Sequence, residues 1–192
     1  MTRGGAYVHH RYGKAGGTAR VTGRGGIQRD TSTDKTMSDK LRYNETRFAG
    51  EKNALYGETG ETFSDYREAW EEVRRGASEV AASNVRGRSR GQAYVYDTTL
   101  NAGDGRQPHE RLHAVARDYL DELRARGYRV QGVAYAIHDN GKHTHIHMMY
   151  SMHKTIQRAD SAAMRQHVRQ AADRAREQHQ ARARDDHDRG RG

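Results

Sequence analysis

The chain of 192 residues contains no cysteine, which removes a disulfide framework and every thiolate metal site from consideration. That absence fits a reducing compartment. No apolar run approaches membrane-spanning length, and the first residues lack the apolar segment of a secretory signal. A cytoplasmic protein with no membrane insertion is therefore expected. There is no P-loop spacing, no internal repeat, and no acidic cluster of the kind a two-metal hydrolase needs. Hydrophobic residues supply only 33% of the chain and charged residues 31%, so the core should be modest and part of the chain loosely ordered.

What the chain has in excess is positive charge. The formal net charge is +9, carried mostly by arginine. Nucleic acid is the leading partner for such a chain, because each cation on a phosphate releases counterions. The competing reading is a soluble protein that is merely basic.

Along the sequence, 6–12 (AYVHHRY) reads as a short strand. The glycine- and arginine-rich stretch 13–30 cannot pack a core, but its backbone can approach phosphates closely; a mobile surface loop and a DNA-contacting loop are both open. Residues 32–48 have mixed helical character, with Met37, Leu41 and Phe48 as the apolar positions. A clearer helix spans about 64–80, with Tyr66, Trp70, Val73 and Ala77 at helical spacing as a core stripe and Ser64 as its cap. A strand is expected over 91–100, then an amphipathic helix with Leu112, Val115, Ala116, Tyr119 and Leu123 on one face and Gly127 as its stop. His109 and His113 on that helix are one turn apart, and exposure is preferred over metal binding for them. Two further strands, 128–138 and 143–151, flank an Asn-Gly turn signal. From about 159 a long Ala/Arg/Gln-rich helix begins, with Met164, Val168, Ala171 and Ala175 able to face a core before the chain frays.

The most informative stretch is HDNGKHTHIHMMYS, 138–151, with four histidines within ten residues. Side chains two apart on a strand share a face, so His143, His145 and His147 point together while Ile146 and Met148 form the buried backing. The place of His138 depends on register. A loop of only Asn140 and Gly141 sets His138 against His143, leaving His147 roughly 13 Å away. A wider loop over 139–144 sets it against His145, and three nitrogens can meet one ion. Both registers are open on the residues alone. Three neutral imidazoles would leave an ion's other positions free for water or substrate oxygens, and they suit Mn, Co, Ni or Zn better than Mg.

At these residues the chain resembles the relaxases, or mobilisation nucleases, of the HUH endonuclease superfamily. Their signature is a histidine followed seven residues later by a His-hydrophobe-His pair, and His138, His145, Ile146 and His147 match it. The match favours the wider loop. Asn140 and His143 also fit the pattern; Lys142 stands where relatives carry an acid and Thr144 where they carry proline. Upstream, LRYNETR and ALYGETGE resemble an early Tyr-x-x-x-Arg segment and the aromatic-Gly stretch after it. The resemblance covers roughly 6–155.

The resemblance implies an α+β fold, with a central antiparallel sheet of about five strands flanked by helices. The nuclease domain would occupy 1–158 and a basic C-terminal helix and tail 159–192. It implies metal-dependent nicking of one strand at an origin of transfer through a covalent 5′-phosphotyrosine, with reversible strand transfer. His138, His145 and His147 would hold one divalent ion, Mn2+ or Mg2+ first, with Zn2+, Co2+ or Ni2+ as alternatives. Tyr43 matches the family's early tyrosine and is the expected nucleophile, with Tyr56 and Tyr12 as runners-up and His9 or His10 as distant ones. Asp139 or Glu45 would serve as base or histidine orienter, Asp139 being equally explained by turn chemistry. Lys14, Arg20, Arg24, Arg42, Arg47 and Lys142 are the expected DNA contacts. The partners implied are single-stranded or supercoiled plasmid DNA and other relaxosome or transfer proteins. Two alternatives remain. A rolling-circle initiator would use the same chemistry with a tyrosine after the histidine pair, where only Tyr150 lies; a non-catalytic mobilisation accessory protein would bind DNA without cutting it.

Overall fold

A computed structural model describes residues 7–22, 28–46, 53–84, 91–101, 107–139 and 144–189, with side chains at 8–17, 33–46, 53–84, 91–101, 107–139, 144–174 and 177. In chain order the elements are β1 (Tyr7–Lys14), β2 (Thr18–Thr22), β3 (Gln28–Ser32), α1 (Thr33–Thr46), β4 (Leu55–Tyr56), β5 (Thr62–Phe63), α2 (Tyr66–Ser83), β6 (Tyr94–Asn101), α3 (His109–Ala125), β7 (Val130–His138), β8 (His145–Met152) and α4 (Arg158–Arg189). Six strands form one antiparallel sheet in the order β1-β6-β8-β7-β4-β5, and β2 and β3 form a separate hairpin. The fold is thus the α+β antiparallel architecture expected. The additional strand comes from β4 and β5, each too short to leave a periodic signal.

Strand alternation sends side chains to two cores. On one face Tyr96, Leu100, Tyr135, Ile137, Ile146, Met148 and Tyr150 pack against Leu112, Val115, Tyr119 and Leu123 of α3 and Met164 and Val168 of α4. On the other, Val95, Ala134, Ala136 and Met149 pack against Met37 and Leu41 of α1 and Trp70, Val73, Ala77 and Val80 of α2. The aromatic stripe of α2 is therefore core, as its spacing predicts. Ala175 lies outside the described side chains, and Phe48 outside the described residues.

Three local expectations need correction. The stretch 13–30 is not one continuous loop: after a turn at Gly16, whose φ is +68°, much of it pairs as the β2–β3 ribbon. The β-branched Thr18, Val21 and Thr22 of β2 suit a pleated ribbon despite the glycines on either side. The α2 cap is Asp65 rather than Ser64; its carboxylate accepts from the backbone N–H of Arg67 and Glu68 at 2.8 and 3.1 Å. A charged acceptor at the positive end of the helix outcompetes a hydroxyl, and the Ser64 N–H instead donates to Glu68 at 2.7 Å. His113 is not simply exposed: its Nδ1 lies 2.6 Å from the Tyr135 hydroxyl and its ring meets Tyr56 edge-on. Burial lowers its pKa.

The stop at Gly127 holds. With φ at +77° this residue lets its own N–H reach the Arg124 carbonyl and the Tyr128 N–H reach that of Leu123, so α3 ends with two orphan carbonyls satisfied. Among the described residues no helix is long and apolar enough to cross a membrane.

Candidate metal centre

The three histidines of the signature come together on the α1/α2 face of the sheet. In the β7–β8 ladder His138 lies opposite His145, and Ala136 lies opposite His147. Ring centroids are 5.3 Å apart for His138–His145, 4.8 Å for His138–His147 and 4.9 Å for His145–His147. One ligand nitrogen from each falls within 4.8 Å of the others. The wider loop is therefore the one adopted; its residues 140–143, including His143, lie outside those described.

This convergence depends on a bulge in β7. Val130 pairs with Met152 and Gln131 with Ser151, but after the irregularity Ala134 pairs with Met149. Gly132 and Val133 thus oppose Tyr150 alone, and Gly132 adopts φ +59°. Continuing the earlier register would set His138 opposite Thr144 and turn its ring to the α3 face. One inserted residue moves it onto the face of His145 and His147.

Neighbouring groups constrain the rings. His138 is fully buried, and its Nε2 lies 3.0 Å from the Asn44 carbonyl in the last turn of α1. His147 Nδ1 lies 3.3 Å from the Thr99 hydroxyl of β6. In these two rings one nitrogen is engaged by a polar neighbour, as is usual for metal-ligating histidines. A tetrahedral ion at about 2.0–2.1 Å from each ligand needs nitrogens roughly 3.3 Å apart, so modest ring rotation would close the site. The donor set of three imidazoles fits a borderline divalent ion.

Helix α1 roofs this end of the sheet, and Lys40 fastens it by an ion pair with Asp97 of β6 at 2.5 Å. Tyr43 lies one residue before Asn44 and is 55% exposed. Glu45 is buried on the same helix, and Arg42 is exposed. Asp139 follows His138, yet its carboxylate lies 3.3 Å from His109 Nε2 on α3. Lys14 is exposed at the end of β1. Arg20 belongs to β2 with its side chain outside those described; Arg24, Arg47 and Lys142 lie outside the described residues altogether.

The other tyrosines raised from sequence sit on the α3 face. Tyr12 is 56% exposed and stacks on Tyr96, with centroids 5.2 Å apart. Tyr56 packs on Tyr135 and His113. Tyr150 is fully buried, and burial drives its hydroxyl far above the ordinary range. His10 also faces α3, and burial lowers its pKa to about 4, ahead of the nearby charges of His9 and Arg165. His9 takes the other face, paired with Thr99, which in turn pairs with His147. Sequence reading missed Thr99, the Asn44 carbonyl and the Gly132 bulge. Only the glycine within an otherwise apolar strand offered a signal.

An antiparallel sheet whose two central strands present a three-histidine cluster, His138 buried and His145 and His147 half-buried, beneath a tyrosine-bearing helix is the arrangement of the relaxase class of nuclease domains. Residues 43–181 match the family model described as Relaxase: MobA/VirD2-like, nuclease domain, and the chain belongs to that family. Its role is accordingly that of a DNA-nicking relaxase domain. No curated protein and no solved structure gives a significant match.

Proposed function

We propose that the chain is a divalent-metal-dependent endonuclease that nicks one DNA strand at an origin of transfer and retains it through a 5′-phosphotyrosine. The observation that carries this reading is the single-faced cluster of His138, His145 and His147 beside the end of α1. The Tyr43 oxygen attacks the scissile phosphorus, the P–O bond to the upstream 3′ oxygen breaks, and that oxygen takes a proton from water and leaves as a free 3′-hydroxyl. The phenol proton passes to a carboxylate, for which Asp139 and Glu45 are the candidates, because an ordinary tyrosine hydroxyl is protonated at neutral pH. One phosphoester replaces another, so the step is near balance and can run backwards to rejoin the strand. A bound ion, with Mn2+ the first choice, would polarise the nonbridging phosphate oxygens and offset developing negative charge. Lys14, Arg20, Arg24, Arg42, Arg47 and Lys142 would hold the phosphate backbone of single-stranded DNA. The reaction belongs in the cytoplasm, on plasmid DNA and beside other transfer proteins.

The test is a nicking assay on supercoiled plasmid carrying the cognate origin, with Mn2+ or with chelator, and mass-spectrometric mapping of the adduct. The expected result is a covalent adduct at Tyr43, lost with chelator, in Tyr43→Phe and in His147→Ala. DNA binding without an adduct under any divalent ion would mean an accessory protein instead. An adduct formed at the parental rate by Tyr43→Phe would move the nucleophile elsewhere.

A further inference from the structure

Helix α1 crosses its face of the sheet on a diagonal. Thr33 at its start packs on Gly13 of β1, where an added Cβ would stand 2.4 Å from the threonine methyl. Lys40 pairs with Asp97 of β6 at 2.5 Å, and the Asn44 carbonyl lies 3.0 Å from His138 of β7. On one side of this line α2 packs on the sheet. On the other lies a corner formed by the first half of β1 and the facing parts of β6 and β8. There Arg11 is opposite Asp97, and His9 is opposite Thr99, itself opposite His147. Val8 belongs to the α3 core, so alternation turns His9 and Arg11 to the face of the histidine cluster. Thr99 and His147 are half-buried, whereas His9 and Arg11 are exposed. With strands about 4.8 Å apart, His9 stands roughly 10 Å from His147 along the row. Asp97 is already paired with Lys40, and Arg11 makes no ion pair among the described residues.

We propose that His9 and Arg11 form a phosphate subsite adjoining the histidine cluster, where a single DNA strand crosses β6 and reaches the edge of the sheet. The inference rests on reading the chain as a nuclease that cuts one DNA strand at that cluster. Arg11 offers a planar guanidinium that can hold two phosphate oxygens at once, and His9 a ring N–H for a neighbouring oxygen. In this role His9 holds DNA and does not attack it. A paired strand suits the task because it fixes both side chains at a set distance from the cluster, which a loop would not. The overall positive charge gives only a general attraction, whereas the register of β1, β6 and β8 gives the DNA a path.

The variants Arg11→Gln, Arg11→Lys and His9→Ala test this in the full chain. Arg129→Gln is the control, an exposed arginine at the end of β7 away from His138. Binding of a fluorescein-labelled oligo-dT strand is read by anisotropy over a salt series. Arg11→Gln should weaken binding and make the slope of log K against log salt shallower by about 0.7, the value for one phosphate contact on a single strand. Arg11→Lys should keep the parental slope, and Arg129→Gln both slope and affinity. His9→Ala should weaken binding roughly two- to tenfold, the worth of one hydrogen bond. The path itself is read by capture. The chain has no cysteine, so Arg11→Cys carries a unique thiol. It should trap an origin strand bearing a disulfide-activated tether beside the scissile phosphate, and Arg129→Cys should not. An arginine that only guards the sheet edge would leave DNA binding at parental values. Parental affinity and slope in Arg11→Gln, parental affinity in His9→Ala, or equal capture by both cysteine variants overturns this inference alone, provided the parent cuts the origin strand with Mn2+. A parent that cuts no origin strand removes the nuclease reading, and this inference with it.

Discussion

Gly76 of α2 and Gly132 of β7 meet backbone to backbone: a Cβ on Gly76 would stand 2.5 Å from the Gly132 nitrogen, and one on Gly132 would stand 2.5 Å from the Glu72 carbonyl oxygen. The contact presses α2 onto the bulge that turns His138 toward its two partners. Helix propensity alone says that Gly76→Ala should stabilise by up to about 1 kcal/mol. The close approach reverses that sign, because backbone cannot yield as a side chain can. Gly76→Ala is expected to lose about 2–3 kcal/mol in urea unfolding, the scale of overpacking a tight contact. A variant as stable as the parent would show that helix and bulge do not touch.

Thr99 supplies the hydroxyl beside His147 Nδ1 at 3.3 Å. Thr99→Val keeps the shape and the strand preference while removing the hydrogen bond. The Mn2+ dissociation constant should rise about tenfold, with Thr99→Ser near the parent. Calorimetric titration of the three proteins decides it, and equal affinities for Thr99→Val and parent would remove Thr99 from the centre.

His10 gives acid sensitivity a specific source. Its pKa is lowered from 6.5 to about 4 by burial, so as pH falls through 6.5 the unfolded chain takes up a proton that the folded protein refuses until about 4. More protons on the unfolded state mean that stability drops as pH is lowered across that window and is unaffected above it. The contribution is at most roughly 3 kcal/mol. Burial also lowers the pKa values of His113 and His153, which add the same sign in parent and variant alike. Measured with chelator, the unfolding free energy of the parent should therefore fall further between pH 7 and 4.5 than that of His10→Phe. Parallel pH profiles would contradict the burial of this ring.

Lys14 and Arg42 are the two expected phosphate contacts whose exposed side chains are described. Replacing either with alanine should weaken single-stranded DNA binding and make the slope of log K against log salt shallower by about 0.7. Fluorescence anisotropy over a salt series reads this directly. An unchanged slope would take that residue off the DNA path.

The legible part of this fold was whatever repeats within one element. Helical spacing of Trp70, Val73 and Ala77 predicts a buried stripe, and alternation across 145–149 predicts histidines on one side with Ile146 and Met148 on the other; the packing agrees. β4 and β5 left no trace because two-residue strands have no period. The β2–β3 ribbon was hidden because glycines and arginines around it read as loop. The α2 cap missed by one position, where the choice between Ser64 and Asp65 turned on which acceptor carries charge.

Taken alone, the order of residues determined that His145 and His147 share a face and that His138 stands seven positions ahead of them, because covalent spacing and side-chain alternation are local properties. The tertiary structure decided whether His138 joins them. Its facing depends on the phase between two strands, which one bulged glycine shifts by a residue, and on the α2 backbone packed against that glycine. It also decided what orients the rings, since the carbonyl of Asn44 is a group every residue carries and only folding brings it to His138.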